Sequence, residues 1–129
     1  MFQKKKYTKE HLRSKKGLKS FKKGHLGEKI AAFYLILKGY RLLELNFKSH
    51  CGEIDIIAKK GNFLIAIEVK THRKNIHESI KIKQVHRILK SLQIYQNQSI
   101  NFSQLQLRFD VIHLSGLKLP NHIKNALEF

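Results

Sequence analysis

Three of the chain's nine acidic residues, Glu53, Asp55 and Glu68, fall in two short apolar runs, Glu53–Ala58 and Phe63–Lys70. Between the runs lies Lys59-Lys60-Gly61-Asn62, a turn signal. If the runs pair as a hairpin about Lys60-Gly61, Asp55 lies opposite Ala66 and Glu53 opposite Glu68. Residues alternate between the two faces of a strand, and paired residues share a face. Glu53, Asp55, Glu68 and Lys70 then project from one face, at the end away from the turn. The other face carries Ile54, Ile56, Ala58, Phe63, Ile65, Ile67 and Val69 and no polar side chain. A slip by one residue would push Glu68 among the isoleucines. Glu53 across from Glu68 is a like-charge pair, unfavourable unless something compensates. A divalent cation would do so. Mg²⁺ takes hard oxygen ligands, commonly one or two carboxylates with waters and a substrate phosphate. Asp55 and Glu68 supply two such ligands, and the backbone carbonyl of Val69 a third. Lys70, on the same face as Glu68, is suited to orienting a water and balancing charge on a scissile phosphate. The competing reading is an amphipathic hairpin whose polar face is merely solvated. Leu64, Ala66 and Ile57 share the face with the charges, which argues that it is covered.

Composition narrows the partner. The chain has 129 residues, 42% of them apolar, enough for one domain with one core. Lys and Arg number 26 against 9 Asp and Glu, a formal net charge of +17. Such a balance favours a polyanion, nucleic acid before an anionic membrane surface. The longest apolar run, Ile30–Leu37, is too short to span a bilayer, and no apolar segment follows the basic N-terminus as in a secretory signal. One cysteine, Cys51, permits neither an internal disulfide nor a multi-cysteine zinc site. His72, His77, His50 and Cys51 match no zinc spacing. These features together place the chain in a reducing cytoplasm, off the membrane.

The charge is uneven. Residues 1–24 hold ten basic residues and one acid, and their few apolar side chains cannot build a core. Residues 1–23 therefore read as a flexible basic arm and residues 24–129 as a single domain. A helix is expected from Gly24 to Lys38, with Leu26, Ile30, Phe33, Tyr34 and Leu37 at helical spacing, buried on most sides. Strands are expected at 40–47, 53–58 and 63–70, then a helix over 79–96 with Val85, Ile88, Leu89, Leu92 and Tyr95 as its apolar stripe. A strand over 105–114 and a short helix over 122–129 complete the order. That order suits an α/β fold, a central mixed sheet flanked by helices. Arg108 and Asp110 read as a structural ion pair, and Tyr34 and Tyr95 as core. Lys81, Lys83, Arg87 and Lys90 give the second long helix a basic face, which reads equally as a surface for phosphate contact and as a plain solvated face.

Gly52-Glu53-Ile54-Asp55-Ile56-Ile57-Ala58 followed by Ile67-Glu68-Val69-Lys70-Thr71-His72-Arg73 resembles the paired signatures of the YraN family of predicted endonucleases. Gly27-Glu28-Lys29-Ile30-Ala31, Gly39-Tyr40, Lys83-Gln84, Arg108-Phe109-Asp110-Val111 and Asn125-Ala126 resemble the family's other segments, in order over residues 24–129. The resemblance implies a restriction-endonuclease-like fold of the PD-(D/E)xK type, related to archaeal Holliday-junction resolvases. It also implies Mg²⁺-dependent (or Mn²⁺-dependent) hydrolysis of DNA phosphodiester bonds, branched DNA included, and by analogy with resolvases a homodimer. By position, Asp55 and Glu68 become metal ligands, with Glu53 at a motif position of unassigned role, and Lys70 the catalytic lysine. Glu28 becomes a supporting acid and Gln84 a group that positions water or phosphate. Where the family often carries arginines before Gly-Glu-Ile-Asp, this chain has Asn46-Phe47-Lys48-Ser49-His50-Cys51, so Lys48 or His50 takes the phosphate contact, with Arg73, Lys83 and Arg87 nearby. Two other classes compete: a non-catalytic nucleic-acid-binding protein that keeps the nuclease fold, and a basic RNA- or ribosome-associated factor. Clustered carboxylates where a phosphate would approach argue against the last.

Overall fold

The structure, a computed structural model, describes residues 15–71, 82–116 and 118–126, with side chains described from Leu26 onward. A helix, α1 (Lys15–Leu37), leads into β1 (Arg41–Ser49), β2 (Gly52–Lys60) and β3 (Phe63–Lys70). Then come α2 (Ile82–Gln96), a 3₁₀ turn (Ile100–Phe102), β4 (Gln106–His113) and β5 (Asn121–Ile123). The five strands form one mixed sheet in the order β1-β2-β3-β4-β5. Only β3 and β4 run parallel, as the crossover through α2 requires. α1 covers one face and α2 the other, giving the expected α/β architecture.

β3 shows why. Leu64, Ile65, Ala66 and Ile67 are all fully buried, alternately toward α2 and α1. A strand covered on both faces has to read as a continuous apolar run. This run does, and its observed bounds match the expected ones.

Four expectations change. The β2–β3 hairpin turns at Gly61-Asn62, so Ile57 rather than Asp55 faces Ala66. The turn needs positive φ at its first central residue, which Gly61 adopts at +57° and Lys60 would resist. A two-residue shift by itself leaves the alternation of faces unchanged, but Glu53 no longer opposes Glu68.

The second change concerns α1. It begins at Lys15, inside the expected basic arm, whose residues 1–14 lie outside the described ones. Its buried side is the small-residue side, Ala31, Ala32 and Leu35, against Ile56, Ala58, Ile65, Ile67 and Ile112. Leu26, Ile30, Phe33 and Leu37 face outward, Phe33 being 63% and Leu37 71% exposed. Small residues let the helix lie close. At Gly27 an added Cβ would meet Thr71 Cγ2 at 3.0 Å.

Third, the C-terminal segment is not helical from His122: residues 121–123 form β5, antiparallel to β4. Fully buried Asp110 is the reason. Arg108 Nε and Nη2 donate to its two oxygens at 2.9 and 2.8 Å, the Asn125 N–H donates at 2.9 Å, and His122 Nε2 lies 2.8 Å away. Burial alone would raise this carboxyl, but the hydrogen bonds from His122, Arg108 and Asn125 overcome it and hold the group below its usual range. The expected Arg108–Asp110 pair is thus the centre of a larger network that recruits the C-terminal strand. Asp110→Ala would leave the Arg108 guanidinium, 12% exposed, without its counter-ion. We expect a loss of about 3–5 kcal/mol in urea unfolding; a loss below about 1 kcal/mol would show that the network is dispensable.

The fourth change is a switch of faces inside β1 and β2. Ile57 packs toward α2 and Ile56 toward α1, yet Ile54 again packs toward α2 with Phe47. The β1–β2 register stays continuous there, Leu45↔Ile56 followed by Phe47↔Ile54. Between those pairs lie Asn46 and Asp55. Asn46 has φ +55°, a left-handed backbone that asparagine tolerates better than most residues. One left-handed residue interrupts the alternation, so the hairpin tip turns over relative to its base.

Candidate metal and nucleic-acid site

The face switch determines where Asp55 points. The regular β2–β3 pairing ends at Ile56↔Ile67. Beyond it the Asp55 carboxylate replaces the backbone partner, its Oδ2 accepting the Val69 N–H at 2.9 Å. Asp55 thereby sits at the end of the sheet rather than over one face. Glu68 projects from β3 on the α2 side, like Leu64 and Ala66, and hydrogen-bonds Asp55. Gln84, in the first turn of α2, donates through Nε2 to Glu68 Oε2 at 2.7 Å. Lys70 Nζ stands 3.8 Å from the same oxygen. From the other face α1 brings Glu28, which contacts Asp55 and the side chain of Asn46. The close seat at Gly27 allows this, because it holds the start of the buried stretch of α1 against Val69, Thr71 and Leu114.

Three carboxyl groups from α1, β2 and β3 therefore share one end of the sheet, and their titration reflects it. Burial pushes the Glu68 carboxyl up to about 9, aided by the Asp55 hydrogen bond and charge, while Lys70 opposes the shift. Burial and the Asp55 charge raise Glu28 to about 7, with the Asn46 hydrogen bond working the other way. At neutral pH this end of the sheet holds protons that ordinary carboxyls would have released. Among the described residues no three His, Cys, Asp or Glu side chains form a ready-made metal cage. The donor set instead fits Mg²⁺, which keeps several waters and takes one or two carboxylates. A cation there would displace the protons, which is the usual coupling of metal affinity to pH.

Glu53 stays at the margin, its charge the smallest of the influences on Glu28. Its cross-strand partner is Lys48, at 3.5 Å, and its side chain is 66% exposed. That pair replaces the expected Glu53–Glu68 opposition, so the crowded carboxyls are Asp55, Glu68 and Glu28. Of the expected phosphate contacts, Lys83 and Arg87 are exposed on the outside of α2, with Lys90 one turn on. His50 is exposed on the β1–β2 loop. That loop abuts α2: an added Cβ on Gly52 would lie 3.7 Å from Arg87 Cβ, and Ser49 Oγ is 2.7 Å from Ser91 Oγ. His50, Lys83, Arg87 and Lys90 thus share one side of the molecule, running out from Gln84 and the carboxyl cluster. Arg73 lies outside the described residues.

Sequence reasoning missed Asn46. Period-two reading cannot reveal a left-handed residue inside a strand. The available signal was an asparagine, the non-glycine residue most at home there, interrupting an apolar run. Asn46 does two things, turning over the hairpin tip and bonding Glu28. Asn46→Gly should keep the fold, changing stability by less than about 1 kcal/mol, whereas Asn46→Ala should cost about 1–2 kcal/mol through its left-handed backbone. Equal losses in thermal unfolding would contradict a backbone role.

Residues 27–114 match the model of the uncharacterised protein family UPF0102. A UPF0102 protein of Caldanaerobacter subterraneus is 45% identical over 114 residues, covering 80% of this chain and 92% of the relative. One from Thermodesulfovibrio yellowstonii is 41% identical over 106 residues, covering 80% and 93%. Another, from Mesorhizobium japonicum, is 34% identical over 110 residues, covering 84% and 88%. Among the described residues no helix is long and apolar enough to cross a membrane.

Proposed function

The chain belongs to the uncharacterised family UPF0102, and on that footing we propose that it is a Mg²⁺-dependent endonuclease that hydrolyses DNA phosphodiester bonds. One observation carries the reading. A chain with 26 basic and 9 acidic residues gathers Glu28, Asp55 and Glu68, from three different elements, beside Lys70 at one end of its sheet. Folding gains nothing from that crowding, since Glu28 and Glu68 sit together beside Asp55 only by keeping protons that ordinary carboxyls release. Coordination chemistry explains it.

Asp55 and Glu68 would hold the cation, with the Val69 carbonyl as a further oxygen. Bound there, Mg²⁺ supplies Lewis acidity toward a phosphate oxygen and eases ionisation of a water. The chain's own groups do the rest. The Val69 N–H fixes one oxygen of Asp55 and Gln84 fixes one of Glu68, which limits the reorganisation needed when ligand arrives. Lys70, 20% exposed, reaches the same space, orients the attacking water and offsets charge growing on the phosphate. Glu28 takes up or gives back a proton from behind Asp55. Lys83, Arg87 and His50 hold the phosphodiester backbone without reading sequence.

The test is a cleavage panel on linear, nicked, flap and four-way-junction DNA with Mg²⁺, Mn²⁺ or chelator. Metal-dependent cutting of any of these supports the reading. Salt-sensitive binding without cutting on every substrate would replace it with a nucleic-acid-binding protein that keeps the fold.

A further inference from the structure

A cleft of about 690 Å³ opens between the end of α1, the Gly61-Asn62 turn and the β5 segment. It is not part of the carboxyl cluster. None of its lining residues belongs to that cluster: Phe63 lies five residues from Glu68 along β3, roughly 17 Å at the rise of a strand, and β5, level with Glu68–Lys70, lies two strands from β3, roughly 10 Å. Lys38, Lys60, Lys124, Arg108 and His122 line it, and among the described residues no carboxylate does. Asp110 lies beneath and is already shared by Arg108 and His122. Among the described residues, the charge not already matched at Asp110 comes from the three lysines.

Two of these lysines are held in place. Lys38 Nζ lies over the Tyr34 ring and Lys60 Nζ over the Tyr40 ring, each 5.3 Å from the centroid. Lys60 Nζ also donates to the Lys38 carbonyl at 3.0 Å. Free lysines spread into water to avoid one another. Here aromatic faces hold two ammonium groups at one concavity, so part of their side-chain entropy is lost before any ligand arrives. Walls of one sign focus the field into a cleft, and a tetrahedral anion with several oxygens can accept from several ammonium groups at once. Asn62, Asn121 and the ring edges leave polar and flat surface for the rest of such a ligand.

We propose that this cleft is a second, separate site for the phosphate of a nucleotide, free or within a nucleic-acid strand. It stands whether or not the carboxyl cluster cuts DNA.

The test titrates the full-length, metal-free protein with pyrophosphate by ¹H–¹⁵N NMR, and a labelled DNA duplex by anisotropy. Pyrophosphate should shift the amides of Asn62 and Asn121 and spare those of Glu68 and Val69. Lys60→Gln with Lys124→Gln should weaken pyrophosphate about tenfold. A parallel loss of duplex affinity, with the salt slope reduced by about 1–2, assigns the cleft to a strand; unchanged duplex affinity assigns it to a free nucleotide. Lys60 also bonds the end of α1, so Lys124→Gln alone, with unchanged melting temperature, must weaken pyrophosphate severalfold. Shifts spread evenly over the basic surface, or unchanged affinity in both variants, would overturn the proposal.

Discussion

Asp55→Asn is expected to reduce metal-dependent DNA cleavage by about a thousandfold or more, the scale seen when one preorganised electrostatic group is lost from an active site. Duplex affinity in chelator should stay within about threefold, because that affinity comes from the cationic surface. Glu68→Gln should act alike. Its amide oxygen can still accept from Gln84 at the 2.7 Å contact, so packing survives while the anion is lost. Lys70→Ala should lower the rate by about a hundredfold or more and leave metal affinity nearly unchanged. These variants also separate chemistry from folding. In a folding role, removing Glu68's charge would cost stability. In a metal-site role, it should cost none at neutral pH and stabilise the metal-free protein above it. Glu68→Gln that melts several degrees below wild type at pH 8 would mark the carboxylate as structural.

The metal-free protein should lose stability as pH rises from about 5 to 9, opposite to the usual acid denaturation of carboxylates. The direction follows from linkage. Glu68 is pushed up to about 9 in the fold from an ordinary value of 4.5, and Glu28 to about 7 from the same value. Above pH 4.5 the unfolded chain releases these protons and the folded chain keeps them, so stability falls with pH. The Glu28 contribution is spent near pH 7 and that of Glu68 near pH 9. A fall of about 4 °C in melting temperature, worth roughly 1 kcal/mol in a domain of this size, is the least expected. Millimolar Mn²⁺ or Mg²⁺ should reverse it at pH 8–9 and do little at pH 5, where protons compete. At a hundredfold excess over its dissociation constant a ligand adds about 2.7 kcal/mol. Glu68→Gln should flatten both effects. Asp110 adds its own loss only toward strong acid, since its carboxyl lies below the usual range. A flat melting profile from pH 5 to 9, with or without metal, would contradict the buried cluster.

The parts of the fold that follow local rules could be read from residues alone. β3 was legible because burial on both faces leaves one long apolar run. The placing of Glu68 and Lys70 together followed from their spacing of two on one strand, which no change of register with a neighbouring strand alters. Three things were not legible. The left-handed Asn46 turns over a hairpin tip, and period-two arithmetic assumes that no such residue exists. The orientation of α1 went against its most apolar stripe, because close packing on the sheet selected Ala31 and Ala32. The C-terminal segment joined the sheet because a buried carboxylate on β4 captured His122 and the Asn125 N–H, a tertiary interaction that no local pattern encodes. The approach of Glu28 to Asp55 belongs with these: family resemblance pointed to it, and its physical cause is the close seat of α1 at Gly27.

The most direct measurement is calorimetric titration of the protein with Mn²⁺ at pH 7.5, in two buffers of different ionisation enthalpy. Binding should occur at one site, release close to one proton, and vanish in both Asp55→Asn and Glu68→Gln. Saturable binding that persists in both variants, or no binding at millimolar metal, would mean that the carboxyls at the end of the sheet were not gathered for a cation.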